Sequence, residues 1–137
     1  FPSGVVHDHY LAFRAACDGA LDYLAEPQLL YRVYGGNQTG VMKNVRTKQD
    51  YYRERIAVFA RRTETFAQFA PELPELPEIR AWCTARERNY HREKGSFGEL
   101  RRLHTLNPST TLFELYALRL PDPLFRIAIW AVQKRLI

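Results

Sequence analysis

The chain has 137 residues, of which 46% are hydrophobic and 13% aromatic, and it carries a net charge of +5. This is enough material for one domain with a core of its own, which excludes an intrinsically disordered chain. No apolar run approaches the roughly 20 residues that span a bilayer, and no secretory-signal pattern is present. Two cysteines, Cys17 and Cys83, are too few for a disulfide framework and fit a reducing compartment, so we expect a cytoplasmic location.

The first forty residues predict a helix followed by a two-stranded ribbon. Asp8 is a good N-cap and Gly19 a good C-cap residue, so we expect a helix over residues 8–18. Alternating apolar side chains then predict short strands over residues 20–24 and 28–34. Because a lone ribbon is marginal in water, it needs helices over it or a larger sheet beside it.

Most of the remaining chain predicts helices. From about residue 41 to 70, apolar residues recur every seven positions and predict one long helix with a packing seam. The seam comprises Val45, Tyr52, Phe59 and Phe66, with Ile56, Thr63 and Ala70 at the interleaved positions. Three prolines over residues 71–77 predict an extended connector. A second helix over residues 78–94 follows, with Trp82, Cys83 and Arg86 on one side, and we expect the two helices to pair antiparallel.

Start signals predict three further helices. The signals are the capping boxes Ser96–Glu99 and Thr111–Glu114 and the cap Asp122 before Pro123. The expected fold is therefore mainly α. It is a helical bundle or hairpin with one short two-stranded β element near the N-terminus.

Three motifs in the first forty residues follow one another in an order typical of an enzyme family. They read His7-Asp8-His9-Tyr10-Leu11-Ala12, Tyr23-Leu24-Ala25-Glu26-Pro27 and Leu30-Tyr31-Arg32-Val33-Tyr34-Gly35-Gly36-Asn37-Gln38-Thr39-Gly40. This run resembles the C-terminal end of the catalytic domain in bacterial family 2 glycosyltransferases, especially rhamnosyltransferase-like members. There the pattern reads His-Asp-x-x-Leu, then Glu-Pro-x-x-x-Tyr-Arg-x-His-Gly-x-Asn-x-x-Gly. The resemblance covers about 40 of the 137 residues.

The resemblance implies an inverting enzyme that uses a nucleotide-sugar donor and has a GT-A-type α/β catalytic domain. It gives Asp8 the role of general base, which takes the proton from the acceptor hydroxyl as that oxygen attacks the anomeric carbon. The acceptor is a polysaccharide or a lipid-linked glycan. The resemblance also assigns His7, Arg32 and Tyr34 to the binding of substrate or donor phosphates. Tyr34 departs from the family pattern, which usually has His at this position.

The same resemblance divides the chain into two parts. Residues 1–42 complete the catalytic domain, and residues 43–137 form a helical region that packs on it. The nucleotide-binding half, with its aspartate-rich metal motif, is expected before Phe1. A divalent metal, Mg²⁺ or Mn²⁺, is therefore expected only in the full-length parent and not in this chain alone. We expect a C-terminal fragment that is inactive by itself, and the missing initiator Met agrees with this.

Simpler interpretations of the same residues remain open. Asp8 can act only as a helix cap, and Arg32 can pair with Asp22 across the ribbon instead of with donor phosphates. His7-Asp8 together with His91 and His104 also resembles the HD-type metal phosphohydrolases. Those enzymes need an earlier His, for which His7 lies too near the start of the chain.

A function of another class is a helical interaction module in residues 43–137. Residues 43–102 hold fourteen Lys or Arg and nine acidic residues, a basic surface suited to a protein partner, an anionic membrane or nucleic acid. The arginines that could line such a face are Arg53, Arg55, Arg61, Arg62, Arg86, Arg88, Arg92, Arg101 and Arg102. Since no recognition motif accompanies them and acids are interleaved, we do not expect nucleic-acid binding.

The last predicted helix has two interpretations. Trp130, followed by Lys134 and Arg135, is typical of a membrane interface. Residues 123–137 therefore either contact the inner face of the membrane peripherally or pack in the core, and the apolar content favours the core.

Overall fold

A computed structural model describes residues 7–28 and 42–134. Over these ranges the protein is mainly helical and forms no β-strand. The α-helices are α1 (His7–Cys17), α2 (Lys48–Tyr51), α3 (Val58–Ala67), α4 (Leu76–Tyr90), α5 (Ser96–Arg102), α6 (Pro108–Tyr116) and α7 (Asp122–Gln133). A π-helical stretch, Tyr52–Ala57, joins α2 to α3, and the three together are called the long helix. Two 3₁₀ turns, His104–Leu106 and Ala117–Arg119, flank α6.

The end of α1 is as predicted, whereas the first strand of the ribbon is not formed. Gly19 adopts a φ of +64° beyond α1, and Ala20 N donates to Ala15 O at 2.8 Å, the usual glycine-terminated helix end. Residues 20–24 are irregular and exposed, so the predicted strand there is wrong. No described segment pairs with residues 20–24, and a strand without a hydrogen-bonded neighbour is not stable in water. Apart from Gln28, the predicted second strand lies outside the described residues.

The long helix begins later than predicted, and its buried positions are shifted. Thr47 and Asp50 form a reciprocal capping box, which sets the start at Lys48 instead of residue 41. Val45, Ile56 and Thr63 of the predicted seam are buried, as expected. Phe59 of the seam is instead 42% exposed, and Tyr51, which is outside the predicted seam, is 1% exposed. The π-helical stretch explains the shift: it holds more residues per turn than an α-helix, so Tyr51 and Ile56, five positions apart, are both buried.

The long helix and α4 pair antiparallel, as expected. Tyr52 Oη donates to Glu87 Oε1 at 2.7 Å, near the start of one helix and the end of the other. At the opposite end, Arg80 Nη2 donates to Glu64 Oε2 at 2.7 Å. The connector lies over residues 68–75 instead of 71–77, because the long helix ends at Ala67 and α4 begins at Leu76, where Pro77 is tolerated in the first turn.

None of the three predicted start signals forms the cap that its pattern predicts, although a helix begins at or near each of them. Asn107 Oδ1 accepts from Thr110 N at 3.1 Å and starts α6 at Pro108, so Thr111 does not cap a helix. Ser96 lies inside α5 behind Gly95, which has a φ of +84°, and its hydroxyl donates to Glu93 O at 2.6 Å. Asp122, the predicted cap of the last helix, is the first residue of α7, and Pro121 occupies the N-cap position without a side-chain cap.

The buried hydrophobic residues of the described ranges form two clusters. The first contains Val45, Tyr51, Ile56, Ala117, Leu118, Phe125 and Ile129. The second contains Trp82, Cys83, Ala85, Leu100 and Leu115. Lys48 joins the start of the long helix to the start of α7, since its Nζ donates to Leu120 O at 2.6 Å and lies 3.1 Å from Asp122 Oδ1. Because Phe125 and Ile129 belong to the first cluster, one side of α7 packs in the core, as the apolar content of this helix predicts.

The buried indole of Trp82 offers a test of the second cluster. Trp82 Nε1 donates to Thr111 Oγ1 at 2.9 Å, and both residues are buried. Thr111→Val keeps the shape and leaves the indole N–H without an acceptor, which costs about 1–3 kcal/mol. We expect urea denaturation to give a free energy of unfolding lower by that amount. Thr84→Val, on the exposed side of α4, should change it by less than about 0.5 kcal/mol. Equal losses in the two variants would contradict this packing.

Candidate functional site

The predicted general base lies at the start of an exposed helix. Because α1 begins at His7, Asp8 is its second residue and not its N-cap. A negative charge in the first turn still stabilises the helix through the helix dipole. Asp8 Oδ1 accepts from His9 N at 2.8 Å. Both His7 and Asp8 are exposed. The carboxylate is thus held by a local hydrogen bond and remains open to solvent.

Of the other predicted site residues, His7 precedes Asp8 in α1, whereas Arg32 and Tyr34 lie outside the described residues. The alternative pairing of Arg32 with Asp22 is outside them for the same reason. Within residues 7–28 and 42–134, no group of three His, Cys, Asp or Glu side chains converges as a metal ion would require. The described residues therefore do not form a ligand set for the divalent metal that the resemblance implies for the full-length parent.

Few contacts attach α1 to the helical region. The ring of Phe13 stacks on that of Phe66 with centroids 4.5 Å apart, and Tyr10 meets Phe69 edge-on at 5.4 Å. No residue of α1 is buried, and Leu11 is 56% exposed. An apolar helix without a buried residue differs from α2 to α7, each of which buries at least one side chain.

The most constrained polar group of the described protein is an ion pair at the centre of the helical region. Arg86 on α4 and Glu114 on α6 are 2% and 0% exposed. Arg86 donates to both carboxylate oxygens, with Nη2 to Oε1 at 2.6 Å and Nε to Oε2 at 2.9 Å. Tyr51 Oη donates to Glu114 Oε1 at 2.9 Å, and Arg86 Nη2 also donates to Arg55 O at 3.1 Å. Three helical segments are thus joined through one carboxylate.

Burial and the partners of this pair determine the protonation of the network. Burial lowers the pKa of Arg86, but the hydrogen bonds and charge of Glu114 outweigh it and raise that pKa overall. Burial and the same carboxylate raise the pKa of Tyr51 well above its ordinary value, so the phenol stays protonated and donates. The guanidinium of Arg86 also lies 4.3 Å from the centre of the Trp82 ring, a cation–π contact.

A pocket of about 210 Å³ opens beside this ion pair. Its walls are formed by Glu54, Arg55, Val58, Phe59, Arg62, Trp82, Arg86, Asn107 and Thr110. Arg62 Nε is buried and has no hydrogen-bond partner among the described residues. A buried donor left unpaired costs about 1–3 kcal/mol, so an acceptor at this position would be favourable.

The structure also corrects the predicted basic surface. Arg86 is not on a surface, because it is buried in its pair with Glu114. Arg88 is engaged by two carboxylates, with Nε 2.8 Å from Glu93 Oε2 and Nη1 2.7 Å from Glu99 Oε2. The interleaved acids therefore neutralise part of the basic face, as a solvated helix surface would.

The last helix has one buried and one exposed side. Phe125 and Ile129 are buried, whereas Leu124, Ile127 and Trp130 are 48%, 59% and 53% exposed. Leu124, Ile127 and Trp130 follow one another at intervals of three positions, so these three apolar side chains share one face of α7. None of the helices in the described ranges has the length and apolar character needed to cross a membrane.

Comparisons with protein-family models, with curated proteins and with solved structures found no match for this chain.

Sequence reasoning missed the pocket and its ion pair. Arg86 was placed on the apolar side of its helix, beside Trp82 and Cys83, and an arginine in that position indicates a buried partner. Glu114 lies among apolar residues of α6 but was explained by a capping box that is not formed. An unpaired charge on each of two apolar faces was the signal that could have identified the pair.

Proposed function

We propose that this chain is the C-terminal part of an inverting glycosyltransferase that moves a sugar from a nucleotide-sugar donor to a polysaccharide or glycolipid acceptor. The chain alone is inactive in this proposal. The observation that carries it is the ordered run of motifs from His7 to Gly40 and its resemblance to family 2 enzymes.

Two structural observations support the proposal. Asp8 is open to solvent in the first turn of a helix, a rigid mount for a group that must reach an acceptor hydroxyl. In addition, Leu11, Leu21 and Leu24 are 56%, 61% and 74% exposed, so the N-terminal segment offers apolar surface to a further part of a catalytic domain.

In the proposed reaction, Asp8 removes the proton of the acceptor hydroxyl while that oxygen forms a bond to the anomeric carbon of the donor. The bond from the anomeric carbon to the nucleoside diphosphate breaks in the same displacement, and the diphosphate leaves with the electron pair. One displacement inverts the anomeric configuration and requires a single base, unlike the two carboxylates of a retaining glycosidase.

Asp8→Asn removes the base but keeps the side-chain oxygen that accepts from His9 N, and the loss of the charge in the first turn costs the helix only about 0.3–1 kcal/mol. We expect sugar transfer by the longer protein that carries this chain to fall by a factor of roughly 10²–10⁴. Release of nucleoside diphosphate from a panel of nucleotide sugars measures the rate. The matched control is Asp22→Asn, since Asp22 Oδ1 accepts from Tyr23 N at 2.7 Å in the same local geometry. Normal transfer by the Asp8 variant would refute the assignment.

A second candidate function, peripheral contact of residues 123–137 with an anionic membrane, is favoured by the exposed face of α7. Leu124, Ile127 and Trp130 form an apolar ridge, with Arg126 exposed on the same helix and Lys134 exposed just after it. Apolar and aromatic residues flanked by cations suit the headgroup region of an anionic bilayer.

Vesicles of mixed neutral and anionic phospholipid test this contact. The emission of Trp130 should shift to shorter wavelength on binding, while the buried Trp82 contributes a constant signal. Ile127→Ser should weaken vesicle binding by roughly tenfold, because it removes the affinity gained from burying one aliphatic side chain in the bilayer. Leu11→Ser, which removes a helical side chain of similar exposure on α1, is the control. Equal binding by the two variants would argue against the membrane face.

A further inference from the structure

Two cations of the pocket beside the ion pair lack partners among residues 7–28 and 42–134. Arg55 and Arg62 both line it, and neither side chain forms an ion pair with a described residue. The Nε of Arg62 is buried without an acceptor. Arg86 uses its Nε and Nη2 for Glu114 and Arg55 O, whereas none of the described residues accepts from its Nη1. Donors from three guanidinium groups are therefore available around one cavity.

We propose that this pocket binds the phosphate group of a phosphorylated ligand. Guanidinium groups present paired N–H donors whose spacing matches phosphate oxygens, and they remain charged at all ordinary pH values. The three guanidiniums outnumber the two nearby carboxylates, Glu54 at the wall and Glu114 behind Arg86, so the local charge is positive. This proposal concerns the helical region alone and does not rest on the proposed glycosyl transfer.

The walls of the pocket are held in place before any ligand arrives. Glu114 fixes the Arg86 guanidinium through bidentate hydrogen bonds, and Thr111 fixes the Trp82 ring on which that guanidinium lies. A fixed site loses little side-chain freedom on binding, which favours affinity. The volume of about 210 Å³ holds roughly seven groups the size of a water molecule, more than one phosphate needs. The remaining space adjoins Phe59, whose ring is 42% exposed.

Pyrophosphate and inorganic phosphate are the probes for this site, titrated into the 137-residue chain at constant ionic strength. Trp82 fluorescence reports binding at the pocket, and isothermal calorimetry gives the affinity. Arg62→Gln and, as a second variant, Arg55→Gln each remove one charged donor, and each should weaken pyrophosphate binding by about tenfold. Arg61→Gln is the matched control, because Arg61 is the exposed neighbour in sequence and does not line the pocket. It should change the affinity by less than twofold.

Vesicles that contain phosphatidic acid distinguish a lipid phosphate from a soluble one. Vesicle binding that pyrophosphate displaces and Arg62→Gln weakens would identify a lipid headgroup as a ligand. Binding of pyrophosphate without binding of these vesicles would identify a soluble phosphorylated ligand, and both results support the site. Absence of binding by either probe at millimolar concentration would overturn it. So would an equal loss of affinity in Arg61→Gln and Arg62→Gln, because that result reflects general surface charge.

Discussion

The helical region depends on the buried ion pair between Arg86 and Glu114. Both groups are almost fully removed from water, at 2% and 0% exposure, and each lost its hydration on folding. Such a pair is tolerated only when hydrogen bonds satisfy its atoms, because the desolvation penalty of two ions rivals their attraction. The bidentate contact, the Tyr51 hydroxyl and the Arg55 carbonyl provide those bonds. The pair therefore fixes how α4, α6 and the long helix meet.

This constraint also shapes the pocket beside it. Glu114 holds the Arg86 guanidinium by bidentate hydrogen bonds, and Arg86 also lines the cavity together with Arg62 and Trp82. The π-helical stretch contributes as well, since it buries Tyr51 toward the carboxylate and leaves Phe59 partly exposed at the pocket wall. A rigid helical region with an available cationic site contrasts with α1, which touches it mainly through Tyr10 and Phe13.

Sequence pattern predicted the helices well because their signals are local. Gly19 ends α1, the proline-rich segment separates the long helix from α4, and the antiparallel pairing follows from a short connection. The predictions that failed concern features that contacts between helices determine. A seven-residue repeat in the sequence does not reveal the π-helical stretch that changes which residues are buried. The spacing of residues 111–114 predicts a capping box, whereas Glu114 is buried and pairs with Arg86. The role of Asp8 stays a prediction from the resemblance. The pocket combines residues from three helices and the turn before one of them, which no local motif encodes.

A double-mutant cycle on Arg86 and Glu114 tests the central claim most directly. The account predicts that Arg86→Met and Glu114→Leu each lower the free energy of unfolding by about 3–5 kcal/mol, because each leaves one buried charge unpaired. The double variant replaces the pair with apolar groups of similar volume, so it should lose less than either single variant, measured by urea denaturation. Additive losses in the double variant would contradict the claim that these two residues act as one buried pair.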